Sequence, residues 1–297
     1  MPSTLTEVCP LCNSFDISFS LKAKDYTVSG EEFEIWKCKN CSAKFTKNPP
    51  SENEIGRYYN SEKYISHSDS NSGFINKVYH FVRRLTLRSK RKLIESYTTL
   101  RNGNILDIGS GTGAFAAEMK RAGWAVTALE PDTNAAKNSA KLHNIHPLPT
   151  SELFNISGKF EAITMWHVLE HVYAVHNYLN EVKRLLAQNG RVFIAVPNFL
   201  CYDETVYNEF WAAYDVPRHL YHFSPRSMES LLAAHGLKVI EMKPMWFDSF
   251  YVSMLSEKYK TGGNIIKACF TGAASNLKAM NDSGKCSSVI YIAAHIN

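Results

Sequence analysis

The sequence predicts an α/β protein, a doubly wound, mostly parallel sheet preceded by a small metal-stapled module. Three observations carry that expectation. From about residue 103, short apolar runs alternate with amphipathic segments; the first run leads into Asp107-Ile108-Gly109-Ser110-Gly111-Thr112-Gly113; and four of the seven cysteines form two C-x2-C pairs near the N-terminus. At 297 residues the chain is longer than a usual single domain of ~100–150 residues, which leaves room for an accessory unit. Its 45% hydrophobic and 21% charged residues are those of an ordinary globular protein, which excludes disordered and fibrous classes. Three regions are expected: a metal ribbon at 1–50, an aromatic and basic helical linker or cap at 51–102, and a sheet domain at 103–297 with an insert at 197–223.

In the first region Glu32-Phe33-Glu34-Ile35-Trp36 alternates apolar and polar residues as a strand does, and Pro49-Pro50 closes the segment. Residues 51–70 are polar and aromatic, with Tyr58, Tyr59, Tyr64 and His67. A helix is then expected from the spacing of Phe74, Val78, Phe81, Val82 and Leu85. The sheet domain reads as a strand at 104–108, a helix at 114–122 closed by Gly123, a strand at 124–129, a helix at 133–142, a strand at 160–165 and a helix at 178–187. An Asn189-Gly190 turn leads into 191–196, a run too apolar for a sheet edge. After the aromatic insert, Ser224 as N-cap and Pro225 at the first helical position start a helix that ends at Gly236. Strands at 237–242 and 287–294 complete the sheet, and the residues between them, 244–286, carry no readable pattern.

Cys9, Cys12, Cys38 and Cys41 have 25 residues between the two pairs. Two residues between paired thiolates allow one tight turn to present both sulfurs to an ion, and four sulfurs complete the tetrahedron that Zn²⁺ accepts. No open position remains for water, so a zinc here is expected to be structural; four buried, unligated cysteines are the bland alternative. The segment resembles a zinc ribbon.

The glycine loop lets a ligand approach the backbone closely and meets it with helix N–H groups. Gly109, Gly111 and Ala114 also satisfy a dinucleotide fingerprint, with Glu130 at the distance of a ribose-binding acid. Asp107 separates the two readings. A carboxylate there would repel a pyrophosphate, whereas S-adenosylmethionine has no phosphate and carries an ammonium and a sulfonium.

Residues from about 103 to 243 resemble class I S-adenosylmethionine-dependent methyltransferases. The resemblance rests on Asp107 to Gly113, on Ala128-Leu129-Glu130-Pro131-Asp132, on the stretch from Phe160 through Trp166-His167 and Leu169-Glu170-His171-Val172, and on the Asn189-Gly190 turn. It implies a Rossmann-like seven-stranded sheet whose last strand is antiparallel. It also implies that Gly109, Gly111 and Gly113 approach the cofactor, that Asp107 meets its methionine end, that Glu130 binds the ribose hydroxyls, and that Trp166 and His167 line the methionine side. After the third strand many relatives place an Asp for the adenine amino group, whereas residues 148–153 read Leu-Pro-Thr-Ser-Glu-Leu, leaving Thr150 or Ser151 as candidates. The Glu170-His171 run is similar to that of ubiquinone-pathway O-methyltransferases, some of which use it for a metal; His167 stands where those enzymes carry Glu.

Methyl transfer needs a positioned nucleophile and, for a hydroxyl or amine, a base. The candidates are His219 and Tyr214 on the insert and His167 after the third recognised strand. Tyr58, Tyr59 and Tyr64 either fold over the cleft or pack the ribbon, and Cys201 reads as a buried small residue. The excess charge is local: residues 71–102 carry 8 basic groups and 1 acidic group, and six of the ten residues from Arg83 to Lys92 are Lys or Arg. That stripe is a solvated helix face, a phosphate or nucleic-acid contact, or a membrane-surface contact. The leading expectation is methyl transfer to a small-molecule or carrier-linked acceptor such as a sugar, quinol or natural-product intermediate. The alternatives are a nucleic-acid methyltransferase using ribbon and basic helix together, and a non-catalytic S-adenosylmethionine- or zinc-binding interaction module. No apolar run approaches membrane-spanning length and no secretory signal is evident, so a cytoplasmic location is expected.

Overall fold

The structure is a computed structural model. It describes residues 7–59 and 74–296, with the backbone alone for 74–83, so the expectations placed on Tyr64, His67 and the side chains of Phe74, Val78, Phe81 and Val82 lie outside the described residues. Ten strands form two sheets. The larger has the order β5(Ala125–Leu129), β4(Asn104–Ile108), β6(Phe160–Trp166), β7(Leu186–Pro197), β10(Ser288–His295), β9(Leu237–Pro244). Its first four strands are parallel, and β10 runs antiparallel to both neighbours, as expected of the last strand.

The sheet has six strands where seven were expected. Beyond β5 a single parallel bridge, Leu129 to Leu148, stands in place of the missing edge strand. Pro147 and Pro149 flank Leu148 and have no N–H, so the ladder cannot extend past one residue. Asn189-Gly190 forms no separate turn but sits in an irregularity of β7, between Leu186, which pairs with Phe160, and Arg191, which pairs with Ala162.

Both faces of the sheet are covered, which explains why Val192–Val196 is apolar at every position and fully buried. One face packs on α1(Phe74–Thr98) and α2(Ala114–Arg121) through Ile94, Phe115 and Met119; the fully buried Ile94 makes the basic helix part of the core of the sheet domain. On the open edge side lies α3(Thr133–His143), capped by Asp132, whose side chain accepts from Ala135 N–H at 2.6 Å. The other face packs on α4(Val175–Leu185) and α6(Pro225–Ala234). Ser224 caps α6 in a reciprocal box with Ser227, and Pro225 opens it.

The smaller sheet holds β1(Ile17–Lys24), β2(Glu32–Cys38) and β3(Lys44–Thr46), and its fourth strand comes from the insert: β8(Tyr221–His222) pairs Lys44 with His222 and Phe45 with Tyr221. The rest of the insert forms α5(Tyr202–Tyr207) and two 3-10 turns. Residues 244–286 fold as a hairpin of α7(Asp248–Thr261) and α8(Ile265–Ala279), joined through Gly262 and Gly263 at φ 87° and 116°.

Candidate functional site

At the carboxyl end of β4 the chain turns through Gly109, Ser110 and Gly111 into α2, while β6 delivers Trp166 and His167 beside it. These residues wall a cleft of about 420 Å³ whose other side is Thr86, Leu87 and Lys90 of α1, with Met245 and Asp248 at the root of the helical hairpin. The glycines are required here. Gly109 has φ 72° and a Cβ on it would lie 2.4 Å from Val168; Gly113, at φ 76°, would press a Cβ to 2.0 Å from Ser139 Oγ. Gly111, at φ 55°, has nothing within 4 Å of that position, so its face is open to a ligand.

Three buried polar atoms around the loop have no hydrogen-bond partner: Asp107 Oδ2, Ser110 Oγ and Trp166 Nε1. Asp107 is 1% exposed, and its other oxygen accepts from the Thr164 hydroxyl at 2.7 Å. Burial pushes this carboxyl up to about 7, against the opposing pull of Thr164 and Lys90. Lys90 places its ammonium 4.0 Å from the centre of the Trp166 ring, and burial brings it down to about 8 despite Asp248 and Asp107. Glu130 accepts from the N–H groups of Gly111 at 2.6 Å and Asp132 at 2.9 Å, which fixes its carboxylate against the loop and leaves lone pairs for further donors.

His167 has φ 57°, an uncommon conformation for a residue with a side chain, held by its N–H bond to Ala195 O at 2.9 Å. Its two ring nitrogens face carboxylates, Glu170 at 3.4 Å and Asp248 at 3.0 Å. Burial opposes the charge, but the two acids outweigh it and raise the imidazolium to about 10. Glu170 is fully buried and forms no regular hydrogen bond through either oxygen, yet His167, His171 and His219 hold it below the usual carboxylate range against the cost of burial. Ligand atoms of Glu170, His171 and His219 lie within 4.8 Å of one another. Burial and the proximity of His219 lower His171 to about 4.

His219 is 8% exposed and stands behind His167 across Glu170, outside the cleft wall. Its Nδ1 meets Ala213 O at 2.9 Å, and its ring lies edge-on to His171 with centroids 4.6 Å apart. Tyr214 is elsewhere. Its hydroxyl donates to Glu204 at 2.5 Å and accepts from Lys44 at 2.7 Å, so it ties the insert to β3 and faces no cleft residue. Tyr58 packs on the ribbon, bonding Glu31 at 2.7 Å, whereas the Tyr59 hydroxyl reaches His171 at 3.1 Å. Cys201 is fully buried, and burial raises its thiol well above the ordinary value. Thr150 and Ser151 open a 3-10 turn and do not line the cleft.

Lys90 and Asp248 line the cleft without a sequence signal that singles them out. Lys90 was one of six basic residues in a run, and only the helix phase, with Ile94 inward one turn later, distinguishes it; Arg91 is absorbed by Glu95 at 2.7 Å and Glu118 at 3.1 Å. Asp248 lay in the unreadable segment.

The four ribbon cysteines cluster as their spacing requires. Cys9 and Cys41 sulfurs are 3.6 Å apart, as are those of Cys12 and Cys38, close to the ~3.8 Å of two thiolates 2.3 Å from one tetrahedral zinc. Asn13 at φ 56° and Ser42 at φ 67° close the two knuckle turns, with N–H bonds to Cys9 O and Cys38 O. The knuckles sit on the sheet domain: His176 of α4 meets Pro10 O at 3.0 Å, and Arg226 of α6 donates to Asn40 O at 3.1 Å. Arg218 of the insert is 1% exposed between Asp25 of the ribbon at 2.9 Å and Asp215 at 2.6 Å.

The family described as "Methyltransferase domain" matches residues 78–242, more than half of the chain. A ubiquinone biosynthesis O-methyltransferase of Pelagibacter ubique is 30% identical over 115 residues, 36% of this chain and 47% of the relative. The C-methyltransferase NovU of Streptomyces niveus is 26% identical over 145 residues, 46% of this chain and 33% of the relative. The chain thus spans less than half the length of either. Among solved structures, a magnesium protoporphyrin IX methyltransferase (ChlM) of Synechocystis PCC 6803 shares the fold, with a TM-score of 0.53 at 14% identity over 82% of this chain and all of that one. No helix among the described residues is long and apolar enough to cross a membrane.

Proposed function

Because the chain belongs to the methyltransferase domain family, we propose that it transfers the methyl group of S-adenosylmethionine to a small-molecule or carrier-linked acceptor. One observation carries the reading. Beneath the glycine loop lies one buried carboxylate oxygen without a partner, on Asp107, and the cleft beside that loop is lined by the Lys90 ammonium, set over the Trp166 ring. An α-amino-acid end is a zwitterion and needs one charge of each sign, whereas a dinucleotide pyrophosphate would meet Asp107 as a like charge. Asp107 then takes the ammonium, Lys90 the carboxylate and Glu130 the ribose hydroxyls, while Gly109, Gly111 and Gly113 allow the backbone close and Trp166 and His167 border the methionine end. Bound there, S-adenosylmethionine supplies an electrophilic methyl carbon. His167, kept cationic by Glu170 and Asp248, orients an acceptor oxygen; His219, outside the cleft, acts through Glu170 as a positioning residue, helping to hold the carboxylate that pairs with His167. Tyr214 holds the insert in place through Lys44 and Glu204.

Calorimetry tests this reading. S-adenosylhomocysteine should bind and NADH should not. Asp107 must lose its proton to meet the ammonium, so affinity should rise as pH climbs through about 7; Lys90 must keep its proton, so affinity should fall again above about 8. Each limb should approach roughly tenfold per pH unit. A flat profile, or NADH binding in place of S-adenosylhomocysteine, would defeat the assignment. Transfer of labelled methyl into a fractionated metabolite pool then identifies the acceptor.

The cysteine quartet takes a structural Zn²⁺ in this reading, within the ribbon at 1–50, ahead of the linking segment 51–102 and the catalytic domain 103–297. Cys38→Ser should release the metal and lower the melting temperature. It should also cut turnover more than cofactor affinity, because β3 holds β8 and the insert while the glycine loop lies on the other sheet. Equal losses in the two would contradict a role confined to structure, read by metal analysis beside calorimetry.

A further inference from the structure

Helices α7 and α8 are amphipathic in the reverse sense. The buried positions of α8 are Ala268, Thr271, Gly272, Ser275 and Ala279, and those of α7 include Ser249, Ser253 and Ser256. Small residues let the two helices approach until a Cβ on Gly272 would lie 2.9 Å from Phe250. The large apolar side chains point the other way: Ile265, Ile266, Phe270 and Leu277 are 72%, 69%, 73% and 65% exposed. Phe247, Tyr251 and Met254 extend the same character along α7 at helical spacing, each more than two-fifths exposed. Exposed apolar side chains at this density on two adjacent helices mark a contact site.

Charge selects the partner. Between Trp246 and Lys285 the exposed residues include Lys258, Lys260, Lys267, Lys278 and Lys285 and one acid, Asp282. Lys267 pairs with Glu257 at 3.2 Å and Lys285 with Asp282 at 3.6 Å, Lys260 donates to Val206 O and Lys278 lies over the Tyr202 ring, so Lys258, Lys260 and Lys278 carry charge that no acid offsets. A two-fold contact between copies would set this face against itself and bring lysine to lysine. An anionic bilayer surface satisfies both features, since aliphatic and aromatic side chains enter the acyl boundary while lysine stems reach back to the phosphates. Helix α1, whose Lys90 faces the cleft that Met245 and Asp248 also line, adds exposed Arg84, Arg88 and Lys92 nearby. We infer that the α7–α8 hairpin is a membrane-surface docking face for anionic lipid, placing the mouth of the cleft at the lipid boundary. Docking there brings an acceptor with an apolar tail to the site without its leaving the bilayer.

Cosedimentation with large vesicles tests this, comparing phosphatidylglycerol mixed into phosphatidylcholine with phosphatidylcholine alone. Binding should require the anionic lipid and weaken with added salt. In the double variant Ile266→Glu/Phe270→Glu it should fall by roughly tenfold or more. Both positions are solvent-exposed, so the variant's melting temperature and its affinity for S-adenosylhomocysteine should match the parent's. Three results would overturn the inference: no sedimentation with anionic vesicles, sedimentation unchanged in the double variant, or a dimer in light scattering that the double variant dissociates, which would assign the face to a second copy of the chain.

Discussion

Replacing His219 with alanine should lower turnover by up to roughly 10²-fold, the cost of displacing a positioned group such as His167, with little change in affinity for S-adenosylhomocysteine. The separation of the two effects follows from the geometry. His219 sits in the insert behind Glu170, 8% exposed and outside the cleft wall, whereas the proposed cofactor contacts come from the loop after β4 and from the end of β5. Steady-state kinetics on the identified acceptor, beside calorimetry, would measure both. Unchanged turnover would remove the positioning role of His219 and leave His167, the histidine that borders the cleft, to act without it.

The second large effect concerns Arg218. Its guanidinium lies between Asp25 and Asp215 and also donates to Tyr58 O at 2.7 Å, so one side chain joins the ribbon, the linking segment and the insert. Arg218→Met should destabilise the fold by ~3–5 kcal/mol, because two carboxylates would remain buried without a counter-charge. Denaturant unfolding measures the loss. Adding Asp25→Asn and Asp215→Asn should restore part of it; a triple variant no better than Arg218→Met would show that the stabilisation comes from packing of the long side chain and not from charge.

The parts of the fold that could be read from the sequence share one property, a local signal that agrees with the global packing. Ser224 and Pro225 announce α6 because capping chemistry is local, and Val192–Val196 announces a central strand because burial on both faces leaves no polar position. The cysteine knuckles and the glycine loop are legible for the same reason, since spacing alone determines what they can present. The seventh strand failed where two prolines removed its donors. The hairpin at 248–279 was unreadable because its pattern is inverted: serine, alanine and glycine form the inner faces and isoleucine, phenylalanine and leucine the outer ones. Periodicity analysis assumes that apolar means inside.

Within the candidate site, the residues proposed for the cofactor carry a local signal in the sequence, and those proposed for the acceptor do so only in part. Asp107, Gly109, Gly111 and Glu130 lie within a short stretch whose geometry is fixed by one strand, one turn and one helix. His167, Glu170, His171 and His219 meet only because β8 pairs with β3 and draws the insert over the end of β6. No spacing in the chain encodes that meeting. Tyr214 shows the converse, an aromatic residue close in sequence to His219 whose hydroxyl is consumed by Lys44 and Glu204.

The pairing of Lys44 and Phe45 with His222 and Tyr221 crosses more than 170 positions of chain, so the leading segment cannot be treated as a detachable appendage. A shortened protein beginning at α1 would keep the glycine loop and Lys90 but would lose the edge on which the histidine-bearing segment is templated. The cysteine cluster, on the other sheet from the glycine loop, thereby acts as a keystone for the segment that carries His219.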